Sequence, residues 1–236
     1  MEKIIVLNHK SELKLKEAKN YVLDINDIIR NDQRTIICPS NVYLPFYNGK
    51  YRFHLGSQNI SNMSINGEIT GEVLKSLGVS YVIIGHHERK NYLKEDSKQI
   101  NEKIKEAIKN NITPIVILGE TYYQTIMKKT GETIRKQIKE YFENIEVKSD
   151  IIIVYEPNYS FEGKEIPKKD NIIEAIDFIK TIMLRKYNAN IKVLYGGHVN
   201  KDTIKEYDKI KNIDGFLIGK SSVSIKEVKE ILNIIE

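Results

Sequence analysis

The run Asp150-Ile151-Ile152-Ile153-Val154-Tyr155-Glu156-Pro157-Asn158-Tyr159 carries the reading of the whole chain. Unbroken apolar and aromatic residues from Ile151 to Tyr155, with no polar alternation, are expected of a parallel strand covered on both faces. The carboxylate that ends the run, followed by a proline-stiffened loop, is what a proton-abstracting base under a moving lid requires. Similar short β-branched runs occupy residues 3–8, 35–38, 52–56, 81–85, 114–118, 151–155, 191–195 and 214–218. Lysine- and glutamate-rich stretches with helical spacing lie between most of them, as in Ile172, Ile173, Ile176, Ile179 and Ile182. Repeated β-α units of this number in 236 residues favour a closed (β/α)8 barrel, an α/β fold, over an open doubly wound sheet. No Pro/Gly/Ser-rich linker divides the chain, so residues 1–236 read as one domain.

Composition narrows the function classes. The 37 basic and 32 acidic residues leave a formal charge of only +5 and are spread throughout, which argues against a nucleic-acid partner. Stretches such as 14–19 and 201–211 mix Lys with Glu, Asp and Ile, as on the solvated face of amphipathic helices. No apolar run approaches the roughly 18 residues needed to cross a bilayer, and no basic segment with an apolar signal core opens the chain. A soluble, cytoplasmic protein without a membrane partner is the expectation. The single cysteine, Cys38, cannot make an internal disulfide and reads as a small buried hydrophobe. No Cys/His spacing resembles a zinc site, so no metal is expected.

In such a barrel the active residues come from the C-terminal ends of the strands and the loops that follow. The chain has Asn8-His9-Lys10, Gly85-His86-His87-Glu88-Arg89, Glu156, Gly196-Gly197-His198 and Gly219-Lys220 at those ends. Glu156 is the candidate base, His86 an acid-base partner of a different type, and the glycine pair allows close backbone approach to an anion. Alone, His86 would read as a core histidine and Lys10 as a solvated lysine; their company makes them candidates. His54 lies outside these motifs and reads as packing or surface. No G-x-G-x-x-G follows the first strand and no G-x-S-x-G elbow is present, which excludes a dinucleotide-dependent dehydrogenase and a serine hydrolase.

Taken in order, these motifs resemble the triosephosphate isomerase family along nearly the whole chain. Asn8-His9-Lys10 is similar to the family's N-W-K, Gly56-Ser57-Gln58-Asn59 to G-A-Q-N, and Val82-Ile83-Ile84-Gly85-His86-His87-Glu88-Arg89 to V-I-I-G-H-S-E-R. Tyr155-Glu156-Pro157 resembles the start of Y-E-P-V-W, Tyr195-Gly196-Gly197-His198-Val199 the Y-G-G-S-V, and Asp214-Gly215-Phe216-Leu217-Ile218-Gly219 the D-G-F-L-V-G. The resemblance implies a TIM barrel that interconverts dihydroxyacetone phosphate and glyceraldehyde 3-phosphate without a cofactor. It implies Glu156 as base, a neutral His86 that polarises the carbonyl, Lys10 as a fixed positive charge and Asn8 as a hydrogen-bond donor. Glu88 would orient Lys10, and the amides around Gly163, His198, Gly219 and Lys220 would hold the substrate phosphate. A homodimer through the loop around Asn66 and a place in glycolysis and gluconeogenesis follow from the same resemblance.

The departures cluster around the phosphate and the lid. The loop 157–164 is one residue shorter than the family's, with Glu162 where a glycine amide would meet the phosphate. Lys220 replaces the second glycine after the last strand and is expected to pair with Glu162 or with the phosphate. Imidazoles stand where the family has serine, at His87 and His198; His87 is expected to pair with Glu156 and hold it away from the substrate. The loop 60–68 is short, which predicts a weakened dimer. Two rival readings follow: an isomerase of another short sugar phosphate such as a tetrulose phosphate, and a non-catalytic barrel that binds a phosphorylated metabolite.

Overall fold

The computed structural model describes residues 3–29, 34–148, 150–161 and 167–235. Within them the strands are β1 (Ile4–Asn8), β2 (Arg34–Cys38), β3 (His54–Ser57), β4 (Tyr81–Ile84), β5 (Thr113–Leu118), β6 (Ile152–Tyr155), β7 (Lys192–Tyr195) and β8 (Gly215–Ile218). The helices are α1 (Leu15–Ile28), α2 (Leu44–Tyr47), α3 (Gly71–Ser76), α4 (His87–Tyr92), α5 (Ser97–Lys109), α6 (Tyr122–Ile126), α7 (Thr130–Tyr141), α8 (Lys169–Tyr187), α9 (Ile204–Tyr207) and α10 (Ile225–Ile234). Every strand is parallel to its neighbours in the order β1 to β8, and β8 pairs back onto β1 to close a single TIM barrel.

Each run expected to be a strand is one, with ends moved by a residue or two. The third starts late because the amide of Arg52 donates to the side-chain oxygen of Asn26 instead of joining the ladder. The fourth stops at Ile84 because Gly85 turns to φ +76°, a left-handed conformation that glycine adopts freely.

The continuous apolar runs divide by parity between two cores. Ile4 and Val6, Ile83, Ile115 and Ile117, Ile152 and Val154, Leu194 and Leu217 pack together in one cluster that fills the barrel. Their alternates, among them Ile5, Leu7, Ile153, Tyr155, Val193 and Phe216, pack in a second cluster with helix residues such as Ile25, Ile104, Ile138 and Ile179. A period of two along β6 therefore carries Glu156 to the inside, one step beyond Val154. The same count along β1, β7 and β8 brings Asn8, Gly196 and Gly219 to the inner rim.

Cys38 belongs to the inner cluster and is fully buried, with its thiol pushed well above the usual range by burial. His54 is exposed and meets Tyr81 edge-on, in keeping with a packing and surface role. The capping box in which Asp96 and Gln99 exchange hydrogen bonds starts α5, the longest helix beside β4 and β5.

Candidate active site

Glu156 follows β6 and is completely buried. Its position is set by backbone bonds to the neighbouring strand end: its amide donates to the carbonyl of Leu118 at 2.7 Å, and the amide of Asn158 donates to that of Glu120 at 2.9 Å. Gly119 makes this approach possible, because a Cβ there would run into the Glu156 carbonyl. The carboxylate meets two imidazoles through one oxygen: Oε1 lies 2.5 Å from His87 Nδ1 and 3.8 Å from His86 Nε2. Burial acts to raise the carboxyl pKa, but the electrostatic influence of the His86 ring, the His87 hydrogen bond and Lys90 outweigh it and hold the group below the usual carboxylate range.

His86 is the N-cap of α4, and its Nδ1 accepts a hydrogen bond from the amide of Glu88 at 3.3 Å. Nδ1 therefore carries the lone pair and Nε2 the proton, so the ring presents an N–H toward Glu156. Burial lowers the His86 pKa first, with Glu156 and Glu88 opposing and His87 and Lys10 assisting, and the net shift is downward. A neutral imidazole with a donor aimed into the site results, and the positive end of α4 acts in the same direction.

Lys10 follows β1 in a left-handed conformation, φ +52°, which a lysine adopts only when its surroundings impose it. They do: Asn8 Oδ1 accepts from the Lys10 amide at 3.3 Å, and Gln58 Nε2 donates to the Lys10 carbonyl at 2.8 Å and to that of Cys38 at 3.0 Å. The ammonium is fixed by Glu88 Oε1 at 2.5 Å. Burial raises the Glu88 pKa while the Lys10 hydrogen bond, the electrostatic influence of the His86 ring and the Lys10 charge lower it, and the net direction is down. Glu88 thus stays ionised and holds Lys10 over the barrel mouth.

Two hollows of about 420 and 520 Å³ meet at the mouth and share Lys10, Glu88 and Tyr92. The first is lined by Asn8, Gln58 and His86, the second by His87, Gly196, His198, Gly219 and Lys220. His198 is exposed with φ +51°, and its carbonyl accepts from Thr203 Oγ1 at 2.9 Å. Lys220 is exposed at the start of the short 3-10 segment Lys220–Val223. That segment is tied to β1 through Ser222 Oγ, which donates to the Asn8 carbonyl at 3.0 Å. Glu162 and Gly163 lie outside the described residues, and with them the expected pairing of Glu162 with Lys220.

Glu120, which the motif reading did not single out, lies buried behind this site. Its Oε1 accepts from Tyr155 at 3.0 Å, Thr125 at 3.2 Å and Thr130 at 3.3 Å. Burial raises its pKa despite these bonds. Its sequence signal is the one used for the other sites, a polar residue at the end of an apolar strand, after Ile117-Leu118-Gly119. Lys90, whose buried Nζ has no hydrogen-bond partner among the described residues, was missed for a different reason: nothing in a helical Lys marks it as buried.

For a metal, His86, His87 and Glu88 form the one sufficiently close group of possible ligands among the described residues. The fit is poor. His86 Nδ1 is occupied by the Glu88 amide and Nε2 holds the proton, so the ring has no lone pair to give unless the helix cap breaks.

A buried carboxylate, a neutral imidazole donor and a clamped ammonium around one barrel mouth define a (β/α)8 protein equipped for proton transfer next to a polarised group. The family model described as triosephosphate isomerase matches residues 3–235. Curated relatives named triosephosphate isomerase include those of Buchnera aphidicola subsp. Baizongia pistaciae, 33% identical, Mycoplasma mobile, 31%, and Alkaliphilus oremlandii, 30%. Each alignment covers 98% of this chain and 98–99% of the relative. This chain belongs to the triosephosphate isomerase family.

Proposed function

We propose that this chain interconverts dihydroxyacetone phosphate and D-glyceraldehyde 3-phosphate by proton transfer through an enediolate. The observation that carries the reading is the convergence of Glu156 and the donor Nε2 of His86 beside the Glu88-held Lys10. Glu156 takes the proton from the carbon next to the substrate carbonyl and returns it to the neighbouring carbon. His86, neutral, donates from Nε2 to the carbonyl oxygen and moves protons between the enediolate oxygens. Lys10 supplies positive charge against the developing oxyanion and the phosphate, and Asn8 adds a side-chain hydrogen bond. The phosphate is held by the amides of Gly163, His198, Gly219 and Lys220.

A single catalytic unit spanning 1–236, a cytoplasmic setting in glycolysis and gluconeogenesis, and a homodimer through the loop around Asn66 belong to the same reading. No helix among the described residues is long and apolar enough to cross a membrane. A second reading, isomerisation of a longer sugar phosphate such as a tetrulose phosphate, is favoured by one feature: His198 and Lys220 line the larger hollow where the family has serine and glycine.

A coupled assay with glyceraldehyde 3-phosphate, run beside a tetrulose phosphate and a Glu156→Asp variant, tests both. Turnover of the triose that collapses in the variant is the expected result. Turnover of the longer sugar alone would establish the second reading, and turnover of neither would leave a phosphometabolite-binding barrel.

A further inference from the structure

The ionic groups buried around α4 do not pair evenly. Glu95, just beyond the helix, is met by two cations through one oxygen: Oε2 lies 2.5 Å from Arg89 Nε and 2.8 Å from Lys103 Nζ. Glu156, completely buried, is met by imidazoles and forms no ion pair with a lysine or arginine among the described residues. Lys90 has the opposite lack. Its Nζ is buried with no hydrogen-bond partner among the described residues, and Glu156 Oε2 is buried without one as well.

The chain brings these two ions toward each other. Lys90 follows His87 by three residues, so both side chains lie on one face of α4, a turn apart. A long helical side chain points back over the preceding turn, here toward the end where His87 Nδ1 meets Glu156 Oε1. Glu156 and Glu95 both act on the Lys90 ammonium, Glu156 the more strongly, and Lys90 acts in turn on Glu156.

We propose that Lys90 is a positioning residue whose buried ammonium is the counter-charge of Glu156, keeping that carboxylate ionised and ready to take a proton where water cannot solvate it. The inference rests on the function proposed above. Moving a carboxylate out of water favours its neutral form, and a neutral carboxyl cannot act as a base. A hydrogen bond from an imidazole helps only while the contact lasts. A fixed charge acts across a gap, through every position the carboxylate takes during the reaction. Glu95, already held by Arg89 and Lys103, has less need of Lys90, which leaves Glu156 as the ion it serves.

The surrounding charges come from several elements. Glu156 is faced by His86 at the end of β4 and by His87 and Lys90 on α4. Lys90 is faced by Glu156 after β6 and by Glu95 after α4. Glu95 also acts on Tyr141 of α7, and Glu68, in the loop after β3, acts on Lys103 of α5. Because the Lys90 ammonium makes no hydrogen bond among the described residues, Lys90→Met strands no donor or acceptor there.

The test compares kcat/KM of the wild type, Lys90→Met and Lys90→Arg at pH 4.5, 6 and 8, following the sugar phosphate itself by proton NMR so that no coupling enzyme limits the range. Substrate phosphate titrates identically for all three proteins and cancels in the ratio. The ratio of Lys90→Met to wild type is expected to be about tenfold lower at pH 4.5 than at pH 8, the factor for removing one opposite charge near a carboxylate, and Lys90→Arg should restore it. A ratio constant within about twofold, or one that Lys90→Arg fails to restore, overturns the proposal. A purely structural role would lower stability, or kcat/KM by one factor at every pH, and leave the ratio level.

If Lys90→Met does not fold, or no triose phosphate is turned over, ¹³C NMR of the wild type and Glu156→Gln decides the matter. The titration of the Lys90 Cε signal, assigned through the bonds to its backbone, should move to lower pH in Glu156→Gln, which has lost the charge that favours the ammonium. An unmoved titration overturns the proposal. A moved titration without turnover bears out the pairing and removes the proposed function instead.

Discussion

His9 and His86 are both buried histidines at strand ends, yet their rings meet different surroundings. His86 has a helix amide on one nitrogen and Glu156 before the other. His9 has neither: both ring nitrogens lack a hydrogen-bond partner among the described residues, and the ring sits edge-on to Tyr21 and Tyr47. Burial pushes its pKa down to about 3. Because the folded value lies below the unfolded one of 6.5, the unfolded chain takes up a proton that the folded chain refuses. The stability at stake is complete above about pH 6.5 and is lost progressively as pH falls toward 3. His9→Phe keeps the ring and removes the titration, so urea denaturation at pH 7 and 4.5 should show an acid loss smaller by roughly 2–3 kcal/mol than in the wild type. For Glu156 the expected result is chemical: Glu156→Gln should lower kcat about 10²–10⁴-fold, read in the coupled assay, because the amide fits the site and cannot take a proton.

At the level of elements, the site depends on how strand ends become helices and loops. The left-handed turn at Gly85 ends β4 and lets His86 cap α4, and that cap sets which nitrogen of His86 carries its proton. Next to it, Gly119 and Glu120 connect β5 to the loop that carries the base. A methyl added at Gly119 would push the Glu156 backbone away from Leu118, where the amide bond now fixes it. Gly119→Ala should therefore reduce kcat about 100-fold, the effect of displacing a catalytic group by an ångström or so, while circular dichroism still reports a barrel. At the opposite wall, Lys220 stands on a short segment anchored to β1 by Ser222. Lys220→Gly is expected to raise KM with kcat little changed, as befits a charge that attracts phosphate in ground and transition state alike; an unchanged KM would show that the ammonium takes no part in binding.

For the whole molecule, the eight strand positions, the closed barrel and the identity of the rim residues were legible because parallel strands buried on both faces leave unbroken apolar runs, and because each run ends in polar residues at fixed spacing. The loop around Asn66 carries exposed apolar side chains. Met63 and Ile65 on it are 50% and 57% exposed, and nearby Tyr92 and Leu93 flank the smaller hollow and are also exposed. If this face joins two copies, Ile65→Glu should yield a monomer in sedimentation, and the wild type, with its short loop, should dissociate on dilution. What the amino-acid order determined by itself was the barrel, its family and the residues at its mouth, since period and motif are local properties of a chain. The pairing of Glu156 with His87 was expected from the sequence, whereas the orphaned ring of His9, the burial of Lys90 and the commitment of both nitrogens of His86 were decided only by the tertiary structure. Each depends on which groups from β1, β4, β5 and β6 arrive within a few ångströms of one another, and burial and pairing at that range, rather than residue type, set charge and position.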